Sequence, residues 1–157
     1  MKRRAQRGQA LVLVAVVLPV LTALLLGALD VALRWLDLAR VEDALRQAAR
    51  SGALEFRYAP LAANRVTLDE PRVIAAAEGT LVTNLTGIIS LAETPAATAA
   101  RLELTLLPAG GSCPQAVGAS QGPTLCAALR PRLTGPLGIG YWEPQVVAAE
   151  AIDIAQE

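Results

Sequence analysis

The chain lacks histidine entirely, and among its 157 residues it has two cysteines, two tryptophans, two tyrosines and one phenylalanine. Without histidine there is no Ser-His or Cys-His pair for nucleophilic catalysis, and neither a glycine-rich phosphate loop nor a recognisable acid pair occurs. Two thiols fall short of the four ligands of structural zinc. The sequence therefore predicts no catalytic residues, no metal or cofactor site, and no small-molecule substrate.

A large excess of charge of either sign is also missing, since 14 basic residues balance 14 acidic ones. Lys2, Arg3, Arg4 and Arg7 all precede a long uncharged run, which leaves ten basic against 14 acidic residues in the rest of the chain. Nucleic acid and anionic lipid both favour a basic surface. The remainder is mildly acidic, so we expect no nucleic-acid partner there.

The uncharged run covers residues 10–29, after a basic head at residues 1–9. A helix of about 20 residues spans ~30 Å, the hydrocarbon thickness of a bilayer. The run exceeds the ~7–15 apolar residues of a secretory signal and continues into another helical pattern, so a permanent membrane anchor is favoured over a signal removed after the span. The basic head predicts a cytoplasmic N-terminus and an exported C-terminal domain.

Residues 30–54 continue the same helix as an amphipathic segment. Apolar or small residues recur there at three- and four-residue steps: Val31, Trp35, Leu38, Val41, Leu45, Ala48 and Gly52. Such a stripe needs cover, either from the chain's own globular part or from neighbouring subunits. We take Trp35, Leu38, Val41 and Leu45 as a docking face for a partner helix. Asp30 either pairs with a partner's amine or, as we favour, is neutralised by Arg34 at the exit from the bilayer.

Residues 55–157 are expected to form one small exported α+β domain. After a linker at 55–68, a second helix begins at an N-cap Asp69 and ends by Gly87, with Ile74, Ala77, Leu81 and Leu85 on its apolar face. "RLELTLLP" and "TLCAALRPRL" alternate as strands. "QVVAAEAIDIA" suits a helix or a strand, and a strand is favoured because it completes a small antiparallel sheet.

Two further features concern covalent structure and binding. In an oxidising exterior, Cys113 and Cys126 are close enough in sequence to form one disulfide, and two free cysteines are the alternative. Tyr141 and Trp142 are candidates for an exposed aromatic contact, although aromatics next to Pro144 commonly pack a turn.

The segment "RRAQRGQALVLVAVVLPVLTALLLGALDVALRWLDLARVEDALRQAARSGAL" resembles the N-terminal region of TadE/TadG-like proteins, the pilin-like membrane proteins of the tight-adherence (Flp) pilus system. The shared order is a basic head with R-G-Q-A, an apolar helix with L-P in its first third, a small-residue patch followed by an acid, and an Ala- and Arg-rich helix. The resemblance implies a minor pilin or pseudopilin in the bacterial inner membrane, whose N-terminal helix contacts lipid, other pilin-like subunits and pilus assembly proteins. A membrane-tethered surface binding module is the alternative.

The same resemblance raises the question of processing. Prepilin peptidases cut after a glycine that follows a short basic leader, which here implies a cleavage site between Gly8 and Gln9. Their substrates usually carry glutamate at the fifth mature position, where this chain has Leu13. This departure favours the TadG-like variety, so removal and retention of residues 1–8 both stay open.

The predicted orientation can be tested with reporters fused after Glu157. Because the basic head is expected to stay in the cytoplasm, an alkaline phosphatase fusion should be active and a β-galactosidase fusion inactive. The matched control places the same reporters before Lys2, where the activities should reverse. Phosphatase activity confined to the N-terminal fusion would contradict the orientation.

Overall fold

The computed structural model describes residues 2–55, 57–58, 66–67, 70–114, 120–135 and 140–152. The helices are α1 (Lys2–Leu54), α2 (Glu70–Leu85) and α3 (Pro95–Ala99). The strands are β1 (Arg57–Tyr58), β2 (Val66–Thr67), β3 (Glu103–Leu107), β4 (Thr124–Leu129), β5 (Leu133–Thr134), β6 (Tyr141–Trp142) and β7 (Val146–Ala151). The predicted α+β fold, with a long N-terminal helix, a second helix and a small antiparallel sheet, is confirmed.

Helix α1 is continuous over 53 residues and accommodates Pro19 in its interior. Its C-terminal half buries one face, on which apolar residues at helical spacing lose almost all of their exposure: Val41, Ala44, Leu45, Ala48 and Ala49. The alanines let other elements approach closely. Gly52 extends this close contact, because a Cβ there would lie 3.1 Å from the side chain of Leu125 and 3.3 Å from that of Val73.

Helix α2 packs along this buried face with residues four apart: Val73, Ala77, Leu81 and Leu85. Hydrogen bonds align the two helices, since Thr80 Oγ1 donates to Ser51 Oγ at 2.9 Å and the Asn84 amide donates to Gln47 Oε1 at 3.0 Å. The predicted apolar face was wrong at its first position, because Val73 is buried while Ile74 is 36% exposed. The predicted N-cap, Asp69, lies outside the described residues.

The main sheet has the order β3-β4-β7, with both pairs antiparallel. Central strand β4 is buried along almost its whole length, whereas β3 at the edge alternates between exposed and half-buried residues. The segment that suited either helix or strand forms β7, paired with β4 from Thr124↔Ala151 to Leu129↔Val146. Pairing with β4 favours a strand over a helix in this segment, because the backbone N–H and C=O groups of β7 find hydrogen-bond partners on β4.

Several short elements were not predicted. β1 pairs with β2 inside the segment expected to be a linker, and α3 begins after Thr94, whose Oγ1 accepts from the Ala97 N–H at 3.2 Å. β5 pairs with β6, with Leu133 opposite Trp142 and Thr134 opposite Tyr141. Two-residue strands show no usable periodicity, so local sequence gives no signal for them.

The structure corrects two members of the predicted docking face. Val41 and Leu45 have no exposed surface, because α2 and the main sheet of the same chain cover them. They are unavailable to a partner helix in this structure. Leu38 is partly buried against the same core, and Trp35 stays 66% exposed. The stripe therefore divides into an internal part and an exposed part.

Leu45→Ala tests this division. Truncation of a fully buried leucine leaves a cavity, so we expect it to lower the free energy of unfolding by ~2–5 kcal/mol. The matched control is Leu54→Ala on the same helix, where the side chain is 79% exposed and the effect should stay within ~0.5 kcal/mol. Urea unfolding of the full chain in detergent measures both. Equal effects of the two substitutions would contradict an internal role for Leu45.

Candidate functional site

The first candidate functional feature is the uncovered apolar part of α1. Every side chain from residue 12 to residue 29 is exposed, including Leu13 at 66%, Leu24 at 68% and Leu25 at 63%. An apolar surface of this extent is far larger than soluble monomers tolerate in water. Within the described residues, α1 is the one helix long and apolar enough to cross a membrane, and none of its most apolar window is buried.

The apolar segment ends at an ion pair. Asp30 Oδ2 lies 2.8 Å from Arg34 Nε, with Asp30 largely covered and Arg34 partly exposed. The contact lacks hydrogen-bond geometry at Nε, and Asp30 Oδ1 has no hydrogen-bond partner in the described part of the chain. The pair is internal to the helix, which agrees with the interpretation that Arg34 neutralises the acid at the end of the span.

Gly135 is the point at which the globular domain reaches this ion pair. A Cβ at Gly135 would lie 2.6 Å from Arg34 Nη2 and 2.9 Å from Asp30 Oδ1, so only glycine allows the backbone to come so close without displacing them. Gly135 directly follows β5. The domain therefore contacts α1 on both sides of the exposed Trp35, at Asp30–Arg34 and again from Leu38 onward.

The β5–β6 ribbon, defined as Leu133–Thr134 paired with Tyr141–Trp142, is joined to the segment that follows α2. Thr134 N–H donates to the Ser90 carbonyl at 2.7 Å, and the Ala92 N–H donates to the Arg132 carbonyl at 2.9 Å. Leu133 is 2% exposed and holds the ribbon on the core. These contacts place residues 89–92 beside the ribbon and near Gly135.

A row of alternating charges lies beside the ribbon. Glu93 contacts both Arg101 and Arg132, and Arg132 also contacts Glu143 and lies 5.6 Å from the centroid of the Tyr141 ring. The hydrogen bond to the Glu143 carboxylate is the main cause of a raised pKa for Arg132, which stays protonated. Because these charges pair with one another, the row supports the ribbon rather than an ionic ligand.

The two residues of the candidate aromatic contact lie in different environments. Tyr141 is 71% exposed, whereas Trp142 is 37% exposed opposite the buried Leu133. Packing of the turn thus accounts for most of the burial of Trp142. Most of the Tyr141 side chain, in contrast, stays uncovered. Among the described residues, no group of three or more His, Cys, Asp or Glu side chains is placed to hold a metal ion.

The two cysteines are joined in the structure. A disulfide connects Cys113, after β3, to Cys126 in the middle of β4, and both residues are buried at 4% exposure. Cys126 lies between Thr105 of β3 and Ala149 of β7 in the sheet register. The bond therefore fastens a glycine-rich loop to the centre of the main sheet.

Gly8 and Gln9, the candidate cleavage site, fall within the part of α1 for which only the backbone is described. Sequence reasoning missed Gly135 and Ile89 altogether. The only local signal for Gly135 was a Gly-Pro pair, which indicates a turn but not what the turn touches. Ile89 gave no signal, because a single apolar residue in a loop has no periodicity.

Comparison with known proteins gives one family. Residues 8–50 match the model of the TadE-like protein family. The matched segment contains the exposed apolar part of α1, the Asp30–Arg34 pair and most of the face that α2 covers. No curated protein and no solved structure shows significant similarity to the chain.

The disulfide leads to a prediction about stability. Reduction should lower the free energy of unfolding by ~2–4 kcal/mol, because the bond closes a loop with a sequence separation of 13 residues. Alkylation of the native chain should modify neither cysteine until a reductant is added. In the control variant with Cys113→Ala and Cys126→Ala, the reductant should have no effect on melting. Ready alkylation without reductant would show that the native thiols are free.

Proposed function

From the TadE-like segment at residues 8–50, we propose that this chain is a membrane-anchored, pilin-like component of a tight-adherence pilus, acting as a minor pilin or pseudopilin. The observation that carries the proposal is the division of α1. Residues 12–29 are exposed and apolar, while the same unbroken helix from Val41 onward forms part of a domain core. One helix is thus both the membrane anchor and a structural element of the exported domain.

The mechanical consequence of this arrangement supports a structural role. No loop separates the apolar segment from the domain, because α1 continues from Lys2 to Leu54 without a break. Asp30–Arg34 and Gly135 add a second contact close to the end of the apolar segment. Movement of the helix along the membrane normal would therefore carry the domain with it, as extraction or insertion of a fibre subunit requires.

The exposed segment also provides a surface for assembly. In the membrane, lipid covers residues 12–29, whereas in a fibre other apolar helices must replace the lipid. Gly27 lies on this segment, and nothing in the chain comes within 4 Å of where its Cβ would be. Small residues allow the backbones of two membrane helices to approach closely. We place the contact with other pilin-like subunits at this level of the span.

We expect Gly27→Leu to weaken assembly without disturbing the fold of the chain. The added side chain meets open space within this chain but would separate two helices packed at Gly27. Co-purification with pilus-system membrane proteins should fall about tenfold, which corresponds to ~1.4 kcal/mol. Val20→Leu is the matched control, because Val20 is also exposed in the span and is already bulky. Its co-purification should match that of the unmodified chain.

A strain that lacks this chain provides the broader test. Loss of the chain should reduce the number of surface pili, and the unmodified gene should restore them. Normal piliation in the deletion strain, together with no recovery of pilus-system proteins with the chain, would refute the proposed function. Reduced piliation with equal recovery of Gly27→Leu and Val20→Leu would keep the function and remove Gly27 from the contact.

A further inference from the structure

Three exposed apolar side chains, contributed by separate parts of the chain, belong to residues close to the place where the domain meets the end of the apolar segment. Trp35 on α1 is 66% exposed, Tyr141 on β6 is 71% exposed, and Ile89 after α2 is 96% exposed. An isoleucine with almost its entire surface uncovered gains nothing from the hydrophobic effect in water. Single exposed apolar residues are common, but here three lie around one feature.

Backbone pairing brings these residues together. Tyr141 is paired with Thr134, and Thr134 immediately precedes Gly135, which touches Asp30 and Arg34. The Ser90 carbonyl accepts hydrogen bonds from the Thr134 N–H at 2.7 Å and from its Oγ1 at 3.0 Å, and Ile89 directly precedes Ser90. Trp35 directly follows Arg34. Each residue is therefore within one or two residues of the contact between Gly135 and the helix.

The depth of this contact follows from the length of the apolar segment. If residues 10–29 fill the hydrocarbon core, the headgroup layer extends ~5–8 Å farther, which corresponds to about four or five helical residues. Asp30 and Arg34 then lie at headgroup depth. Because Gly135 touches both side chains, the β5–β6 ribbon reaches the same depth.

We propose that the exported domain rests on the outer surface of the bilayer through a membrane-facing patch formed by Trp35, Ile89 and Tyr141. The inference rests on the proposed membrane anchoring and adds a second contact with lipid, made by the globular domain. Tryptophan and tyrosine favour this interfacial layer, because their rings are apolar with one polar group. An isoleucine side chain can enter the upper acyl region at the same level.

The charges near the patch favour a zwitterionic lipid surface. Arg34 is paired with Asp30, and Arg132, which lies near the Tyr141 ring, is paired with Glu93 and Glu143. Glu93 also contacts Arg101, so the pairs contain three cations and three anions. Their charges cancel, and they supply neither a basic surface for anionic lipid nor a net acidic one that such lipid would repel. Binding therefore comes from the apolar and aromatic side chains, and the docked domain is held at a defined angle to its own anchor.

Depth-dependent fluorescence quenching tests the patch in the full chain, reconstituted in nanodiscs of phosphatidylcholine brominated near the top of the acyl chains. Trp35→Phe and Trp142→Phe remove the native fluorophores, after which Tyr141→Trp or Ile89→Trp introduces a single reporter. Both reporters should emit at shorter wavelength than in water and be quenched at least half as strongly as Leu18→Trp inside the span. Unbrominated phosphatidylcholine provides the reference intensity.

Leu54→Trp in the same background is the matched control for an exposed side chain outside the membrane. Leu54 is 79% exposed and lies ~36 Å along α1 from Asp30, so its emission should not be quenched. Quenching at Leu18→Trp with none at Tyr141→Trp and Ile89→Trp would overturn the patch while leaving the anchor intact. Absence of quenching at Leu18→Trp as well would overturn both.

The experiment also separates lipid from a protein partner. If the patch bound a second copy of the chain, emission from the Tyr141→Trp and Ile89→Trp variants would depend on the number of chains in each nanodisc and would be unaffected by bromine. That result would overturn the proposal. Quenching that is the same with one or two chains per nanodisc would support contact with lipid.

Discussion

Burial of one face of α1 between α2 and the main sheet is the interaction on which the rest of the structure depends. Val41, Leu45 and Ala48 are fully covered there, and the close approach at Gly52 brings in Val73 from α2 and Leu125 from β4. If this face were uncovered, the sheet would lose the helix that closes its core. The domain would also lose its rigid connection to the apolar segment, because the buried face and that exposed segment belong to a single helix.

The same constraint determines which parts of α1 remain for other molecules. An amphipathic helix has one apolar stripe, and this chain uses its C-terminal portion internally. We therefore propose that contacts with lipid or with other subunits use the uncovered residues 12–29 and exposed positions such as Trp35. A docking model that used the whole stripe would require the domain to unfold first, which Leu45 in particular makes unfavourable.

The disulfide and the row of alternating charges stabilise a domain that has few aromatic side chains to fill its core. A covalent bond joins Cys113 to Cys126, and ion pairs join Arg132 to Glu93 and Glu143. The disulfide holds the loop that contains Cys113 on β4, and Arg132 is the residue immediately before β5. The pairs of Arg132 support the β5–β6 ribbon, in which β5 is followed by Gly135 at the contact with Arg34.

Sequence alone determined the features that depend on local patterning. The uncharged length of residues 10–29 predicted a helix long and apolar enough to span a membrane, alternation in "RLELTLLP" identified β3, and four-residue spacing identified α2. Tertiary structure alone decided which apolar faces are internal. Val41 and Leu45 became core, Val73 replaced Ile74 on the buried face of α2, and Gly135 came to lie against Asp30 and Arg34. The physical reason is that periodicity shows that a face is apolar, whereas what covers that face depends on pairing between residues far apart in the chain.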